Sequence, residues 1–146
     1  MGLFSRSCEY GIKACIHIGK ASAKNELVKL KEVASAIGSP EAFTAKILQQ
    51  LARSGMISSI KGHTGGYFIA KENLDKLMIA DVVIAIDGPD LLKGCALGLE
   101  NCNDEKPCPV HDQYKAVRNG LVSMLNTTSI IDLVKGLKSA HVVLKQ

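Results

Sequence analysis

Residues 30–70 read LKEVASAIGSPEAFTAKILQQLARSGMISSIKGHTGGYFIA, and the spacing of apolar residues within them decides the fold. Leu30, Val33, Ala34 and Ile37 recur at three- and four-residue steps, the pattern of a helix that buries one face. Gly38 is placed to end it. A further helix then starts within two residues. Ser39 is a favoured N-cap type, Pro40 suits the first helical position and Glu41 complements the N-terminal dipole. Arg53 falls in the last turn and Gly55 closes the helix. Two strand-like runs follow, 56–61 and 67–70, joined by Gly62-His63-Thr64-Gly65-Gly66, whose glycines permit a tight hairpin. Two helices joined by a Gly-containing turn, with a basic Gly-rich hairpin directly after them, predict a winged helix-turn-helix. The glycine run is no phosphate loop, because no Gly-Lys-Ser/Thr ends it and a strand, not a helix, comes next.

At 100° per residue, Phe43, Ile47, Leu48 and Leu51 gather on the core side of the helix that opens at Pro40. Ala42, Ala45, Lys46, Gln49 and Arg53 gather on the opposite side. Two alanines let the backbone approach a DNA groove closely, while Lys and Gln can address guanine and adenine edges. An ordinary surface helix would carry a denser charge there. At the hairpin tip, Lys61, Gly62, His63 and Thr64 are placed to reach the minor groove or phosphates. Charge agrees with this reading. The net charge is +4, but residues 1–71 hold ten basic and four acidic residues, a net of +6, and the remainder is at −2. The basic half should face a polyanion, with binding that weakens steeply in salt.

A first helix is expected from residue 5 to about 21, with Cys8, Ile12, Cys15, Ile16 and Gly19 along a core stripe. After the wing, Ile79, Val82, Val83 and Ile86 predict a short helix stopped by Asp87-Gly88-Pro89. Residues 88–111 show little periodicity and contain three of the five cysteines. A loop of that length in a small domain is usually functional or disordered. Tyr114, Val117, Leu121, Met124 and Leu125 then mark a helix over 112–126, and a last short helix is expected over 130–137. The expected units are therefore a winged-helix domain (1–87), a cysteine loop (88–111) and a dimerisation helix with a C-terminal segment (112–146). The fold class is mainly α with a two-stranded wing. The apolar stripe of the long helix has little left to pack on in its own chain, and a second copy is the natural target.

The cysteines divide by position. Cys8 and Cys15 sit on the core stripe and read as packing. Cys95-x6-Cys102-x5-Cys108, followed by His111, reads as a thiolate-rich metal or redox loop. Its gaps exceed the two to four residues typical of zinc pairs and miss the common ferredoxin spacings. His111 could supply a fourth ligand nitrogen, and Glu9 a ligand oxygen if the first helix of either subunit lies over the loop. Against these stand a surface His at a helix start and a solvated helix Glu. Other classes fall away. Apolar residues at 47% and charged residues at 22% fit a globular rather than a disordered chain. No apolar run approaches the roughly 18 residues of a membrane span. The N-terminus lacks a secretion signal, so a cytoplasmic location without disulfides is expected. No activated nucleophile, paired carboxylates or cofactor loop points to an enzyme.

Over nearly its whole length the chain resembles the bacterial winged-helix repressors typified by IscR, NsrR and CymR. The residues that carry the resemblance are Tyr10 and Ala14, Pro40 to Phe43 with Ala45 to Leu48, Leu51 to Gly55, the wing from Ser59 to Tyr67, and the cysteine loop. The resemblance implies a homodimer whose long helix crosses its partner and which binds a palindromic DNA operator through the second helix-turn-helix helix and the wing. It also implies an iron–sulfur cluster, [2Fe-2S] or [4Fe-4S], on Cys95, Cys102 and Cys108. The fourth ligand stays open between His111 and Glu9. A CymR-like alternative keeps the DNA binding and replaces the cluster by a thiol switch, zinc or a partner protein. The chain departs from its relatives at Thr44, an inward position where they tend to carry Leu, and at Lys61, where many carry Arg.

Overall fold

A computed structural model describes residues 2–138 and 142–145. Met1 and residues 139–141 and 146, the last four within the expected C-terminal unit, lie outside the described residues. The elements run α1 (Arg6–Ser22), α2 (Leu30–Ile37), α3 (Glu41–Arg53), β1 (Ser58–Ile60), β2 (Gly66–Phe68), α4 (Lys71–Leu74), α5 (Ile79–Asp87), α6 (Asp90–Lys93), α7 (His111–Thr127) and α8 (Ile130–Gly136). The architecture is a mainly helical winged helix with a two-stranded antiparallel wing.

The central element is α1, which packs against α2, α3, α5 and α8 and touches β2. Its N-terminus is fixed by Ser5, whose hydroxyl accepts from the Cys8 N–H at 3.1 Å. The same Ser5 donates its backbone N–H (3.0 Å) and its hydroxyl to the Asp87 carboxylate at the end of α5. Apolar residues at helical spacing put Ala14, Cys15, Ile18, Val33, Ile37, Ile47, Leu48, Leu51 and Val82 into one core. Cys8 belongs to a smaller cluster with Ile79, Ala80, Val83 and Leu125. Burial drives both thiols up to about 12, with Asp87 adding to the effect at Cys8. They pack, as their positions imply.

The helix-turn-helix differs from the expected arrangement at one residue. Gly38, at φ +70°, closes α2 in a Schellman motif: its N–H reaches the Ser35 carbonyl at 3.3 Å and the Ser39 N–H reaches Ala34 at 3.0 Å. Ser39 is thus committed to ending α2 and does not cap α3. Pro40 is the N-cap, in extended conformation, and its carbonyl accepts the first helical bond from the Thr44 N–H at 2.9 Å. The Thr44 hydroxyl donates to that carbonyl as well, also at 2.9 Å, so this inward polar residue is fully buried and satisfied.

The wing pairs Ser58 with Phe68, Ser59 with Tyr67 and Ile60 with Gly66. Each strand is three residues, shorter than the runs at 56–61 and 67–70. Ile57 and Ile69, just outside the strands, turn into the core instead of extending the ladder. Val28 adds a bridge on the other side of Tyr67, with N···O distances of 3.0 and 2.7 Å. Two one-turn helices, α4 and α6, have too few residues to show a period. The 88–111 segment is therefore not wholly irregular.

The C-terminal helix α8 returns to α1. Ile130 and Val134 join the main core, and a backbone bridge between Met78 and Ser129 fastens its start. Ser129 and Asp132 cap it reciprocally at 3.0 and 3.1 Å. Long helix α7 is different: of its 17 residues only His111 and Leu125 are buried. Its apolar stripe splits. Leu121 and Leu125 pack toward Cys8 and Val83, whereas Val117 (68% exposed) and Met124 (45%) face outward.

Candidate functional site

Two groups of residues stand out beyond the core. The first is a candidate reading face. Ala42, Lys46 and Gln49 are exposed on the outer side of α3, Ala45 is partly exposed between them, and Thr44, Ile47, Leu48 and Leu51 are buried behind. The helix is held on both sides. The Gln50 amide donates to the Ala85 carbonyl of α5 at 3.0 Å, and Phe43 meets the edge of Tyr10 of α1 with ring centroids 5.8 Å apart. The Arg6 and Lys13 cations lie 5.9 and 5.7 Å from the centroid of the same tyrosine.

The wing tip is the other part of this group. Lys61, Gly62, His63 and Thr64 are all exposed. Lys29, at the start of α2, donates its ammonium to the His63 carbonyl, which ties the tip to the helix-turn-helix. Lys29 lies outside the apolar period of α2, and its only trace in the sequence is membership of the basic half.

The second group is the cysteine loop. Cys108 is buried, Cys95 and Cys102 are half-buried, and all three are free thiols. Among the described residues no three Cys, His, Asp or Glu side chains converge closely enough to share a metal ion. The donors instead meet in pairs. Cys102 Sγ lies 3.5 Å from His111 Nδ1. Cys95 lies near Cys108. Its pKa falls below a thiol's usual value through the backbone N–H of Leu97, then that of Leu99, with the Cys108 thiol and the Gly98 N–H helping against partial burial. The donor set of three thiols and one imidazole, on one glycine-containing loop, has the soft chemistry that an iron–sulfur centre requires.

His111 is not a surface histidine, being only 4% exposed at the first turn of α7. Its Nε2 lies 2.9 Å from Asp104 Oδ1 and its Nδ1 faces the sulfur, the carboxylate–imidazole–ligand order seen around bound metals. Lys115 donates to both oxygens of Asp104 at 2.9 and 3.0 Å. The Lys115 ammonium first, and His111 after it, hold the Asp104 carboxyl below its ordinary range. Arg118 donates to Cys102 Sγ and to the Gly94 carbonyl, each at 3.0 Å. None of Asp104, Lys115 and Arg118 was marked by sequence spacing. Glu9, on the first turn of α1, lines a depression with Gly2, Phe4, Ser5 and Arg6.

Comparison with known proteins gives these groups a setting. A family described as "Rrf2: Iron-dependent Transcriptional regulator" matches residues 4–136. An HTH-type transcriptional regulator of Mycobacterium tuberculosis is 32% identical over 139 residues, 94% of this chain and 84% of the relative. The HTH-type transcriptional regulator IscR of Xenorhabdus nematophila is 24% identical over 86% of this chain and 75% of its own. Among solved structures, CymR, the global cysteine regulator of B. subtilis, superposes with a TM-score of 0.76 over 93% of this chain and 98% of the other. At 24% identity that likeness concerns the fold.

Proposed function

The chain belongs to the Rrf2 family of transcriptional regulators, which are not enzymes, and from that premise we propose a homodimeric repressor that senses redox, nitric oxide or iron–sulfur status through the 88–111 loop. It reads a palindromic operator with Ala42, Ala45, Lys46 and Gln49 in the major groove. Lys61, Gly62, His63 and Thr64 contact the minor groove or phosphates. Lys lacks the planar fork of Arg, so Lys61 holds its groove less rigidly than an arginine would.

The observation that carries the sensing half is the double duty of α7: one of its faces holds the cysteine loop and another is apolar and unpartnered among the described residues. Cys95, Cys102 and Cys108 would hold an iron–sulfur cluster, with His111, or Glu9 from the partner subunit, as the fourth ligand. The family's description as iron-dependent supports this reading. When bound, such a cluster supplies a centre that responds to oxidants, nitric oxide or loss of iron. The protein's part is mechanical. Gathering the cysteines orders the loop between α5 and α7, and the setting of α7 against its partner fixes the distance between the two reading faces. Successive major grooves on one side of a duplex lie about 34 Å apart, so a small change of separation changes affinity strongly.

The test is anaerobic reconstitution with iron and sulfide, followed by visible absorption and iron and sulfide assay. Wild type should become coloured and Cys102→Ala should not. A colourless wild type under these conditions overturns the cluster. A second reading, favoured by the nearness of Cys95 to Cys108 and its lowered pKa, keeps the DNA binding and replaces the cluster by a thiol switch or zinc on these cysteines, or by control through a partner protein. Zinc in the metal analysis would select the zinc form, and an unchanged DNA response in the triple Cys→Ala variant would select the partner protein.

A further inference from the structure

His111, Tyr114, Lys115 and Arg118 recur at i, i+3, i+4 and i+7, so they share one face of α7. Three of them grip the cysteine loop, but they do not grip it alike. His111 and Lys115 meet at Asp104, an exposed residue at the loop's far side. Arg118 acts deeper. A single guanidinium nitrogen binds the Gly94 carbonyl, where the loop leaves α6, and the sulfur of Cys102, eight residues on, each at 3.0 Å. The guanidinium also lies 5.8 Å from the Tyr114 ring centroid, one helical turn back.

Charge sharpens the point. Arg118 is half-buried, and none of the described ion pairs includes it. Its described hydrogen-bond partners, the Gly94 carbonyl and the Cys102 sulfur, both belong to the cysteine loop, so the cation is spent on holding that loop. Hydrogen bonds from charged donors are about twice as strong as neutral ones.

We propose that Arg118 positions the Cys102 sulfur and thereby transmits the state of the cysteine loop to the dimerisation helix. It is a positioning residue and not a ligand. Through these two bonds the loop from Gly94 to Cys102 is drawn onto the middle of α7. A displacement of the Cys102 sulfur breaks one of them, and the loop comes free at that point. The inference rests on the sensing role proposed for the loop, but not on the identity of the group it holds.

The test uses the full-length protein with Arg118→Gln and Arg118→Lys. In the reduced, metal-free state, amide hydrogen exchange over residues 94–104 should quicken roughly tenfold in Arg118→Gln, the equivalent of one hydrogen bond to a charged group. Exchange in α1 to α3 should match wild type. Arg118→Lys, which keeps the charge but loses the planar group that lies over Tyr114, should lie between the two. In reconstituted protein the midpoint potential should fall in Arg118→Gln and recover in part in Arg118→Lys, because a cationic N–H donor beside a ligand sulfur favours the reduced centre. Loop exchange in Arg118→Gln equal to wild type overturns the proposal. Should Arg118→Gln fail to fold, the same two measurements on Arg118→Lys decide it. Quickened loop exchange in a protein that never takes up iron and sulfide would sink the cluster reading and still support Arg118 as the link.

Discussion

A methyl group on Gly65 would lie 1.9 Å from the Ile60 carbonyl oxygen and 3.0 Å from the carbonyl carbon of Lys61. Backbone occupies that space, so no rotamer change can relieve the clash. Gly65→Ala should open the wing tip and weaken operator binding in a mobility-shift titration, while α1 to α3 keep their packing by near-ultraviolet dichroism. The cysteines offer a second check. Burial holds Cys8 and Cys15 up to about 12, so both remain protonated at pH 8, whereas Cys95 is shifted the other way. Since the thiolate is the reactive form, iodoacetamide on metal-free protein at pH 8 should label Cys95 well before Cys8 or Cys15, read by peptide mass mapping. Residue-level legibility was uneven for a physical reason. The sides of α3 follow from a 3.6-residue period, which the sequence displays. Asp104, Lys115 and Arg118 gain their roles only from the path of an aperiodic loop, and no spacing records that path. At Ser39 two local signals competed, and the Schellman closure of α2 took the residue that could have capped α3.

Among the elements, α8 shows what a short helix needs. With seven residues it cannot be stable alone, and it depends on its cap and on Ile130 and Val134 in the core. Ser129→Ala should cost about 1 kcal/mol, seen as a fall of about 2–4 °C in the thermal midpoint for a chain of this size. The Asp132 carboxyl is held below its ordinary range by the Ser129 N–H first and the Ser129 hydroxyl second. A lowered carboxylate pKa stabilises the folded form above the unfolded value, and that contribution is lost as pH falls through the folded value. The difference between wild type and Asp132→Asn should therefore be full at pH 7 and shrink below about pH 4. The long helices were legible because several turns repeat one period. One-turn α4 and α6 were not, and the wing strands shortened because Ile57 and Ile69 are claimed by the core.

At the scale of the whole molecule, the uneven charge and the exposed stripe of α7 carry the predictions. Operator binding should fall steeply with salt, and Lys46→Ala should reduce the slope of log affinity against log salt by about one. A flat dependence in wild type would contradict the reading face. Val117→Glu places a charge in the middle of the outward apolar stripe. It should convert a dimer to a monomer by light scattering and abolish tight operator binding while leaving the fold intact. Sequence made this stripe visible but could not divide it between the chain's own core and a partner. That division depends on where α5 lies beneath Leu121 and Leu125.

Gly120 lies between Val117 and Met124, and a side chain there would meet nothing within 4 Å in the single subunit. Within one chain, then, glycine has no steric excuse for interrupting a helix, and alanine would favour the helical backbone by about 1 kcal/mol. If two copies of α7 cross near this point, the same methyl becomes a spacer between their backbones. Gly120→Ala should accordingly raise the melting point of a dilute monomer and lower the association constant, so that one substitution carries opposite signs in the two states. Measuring both would locate the crossing point on the helix.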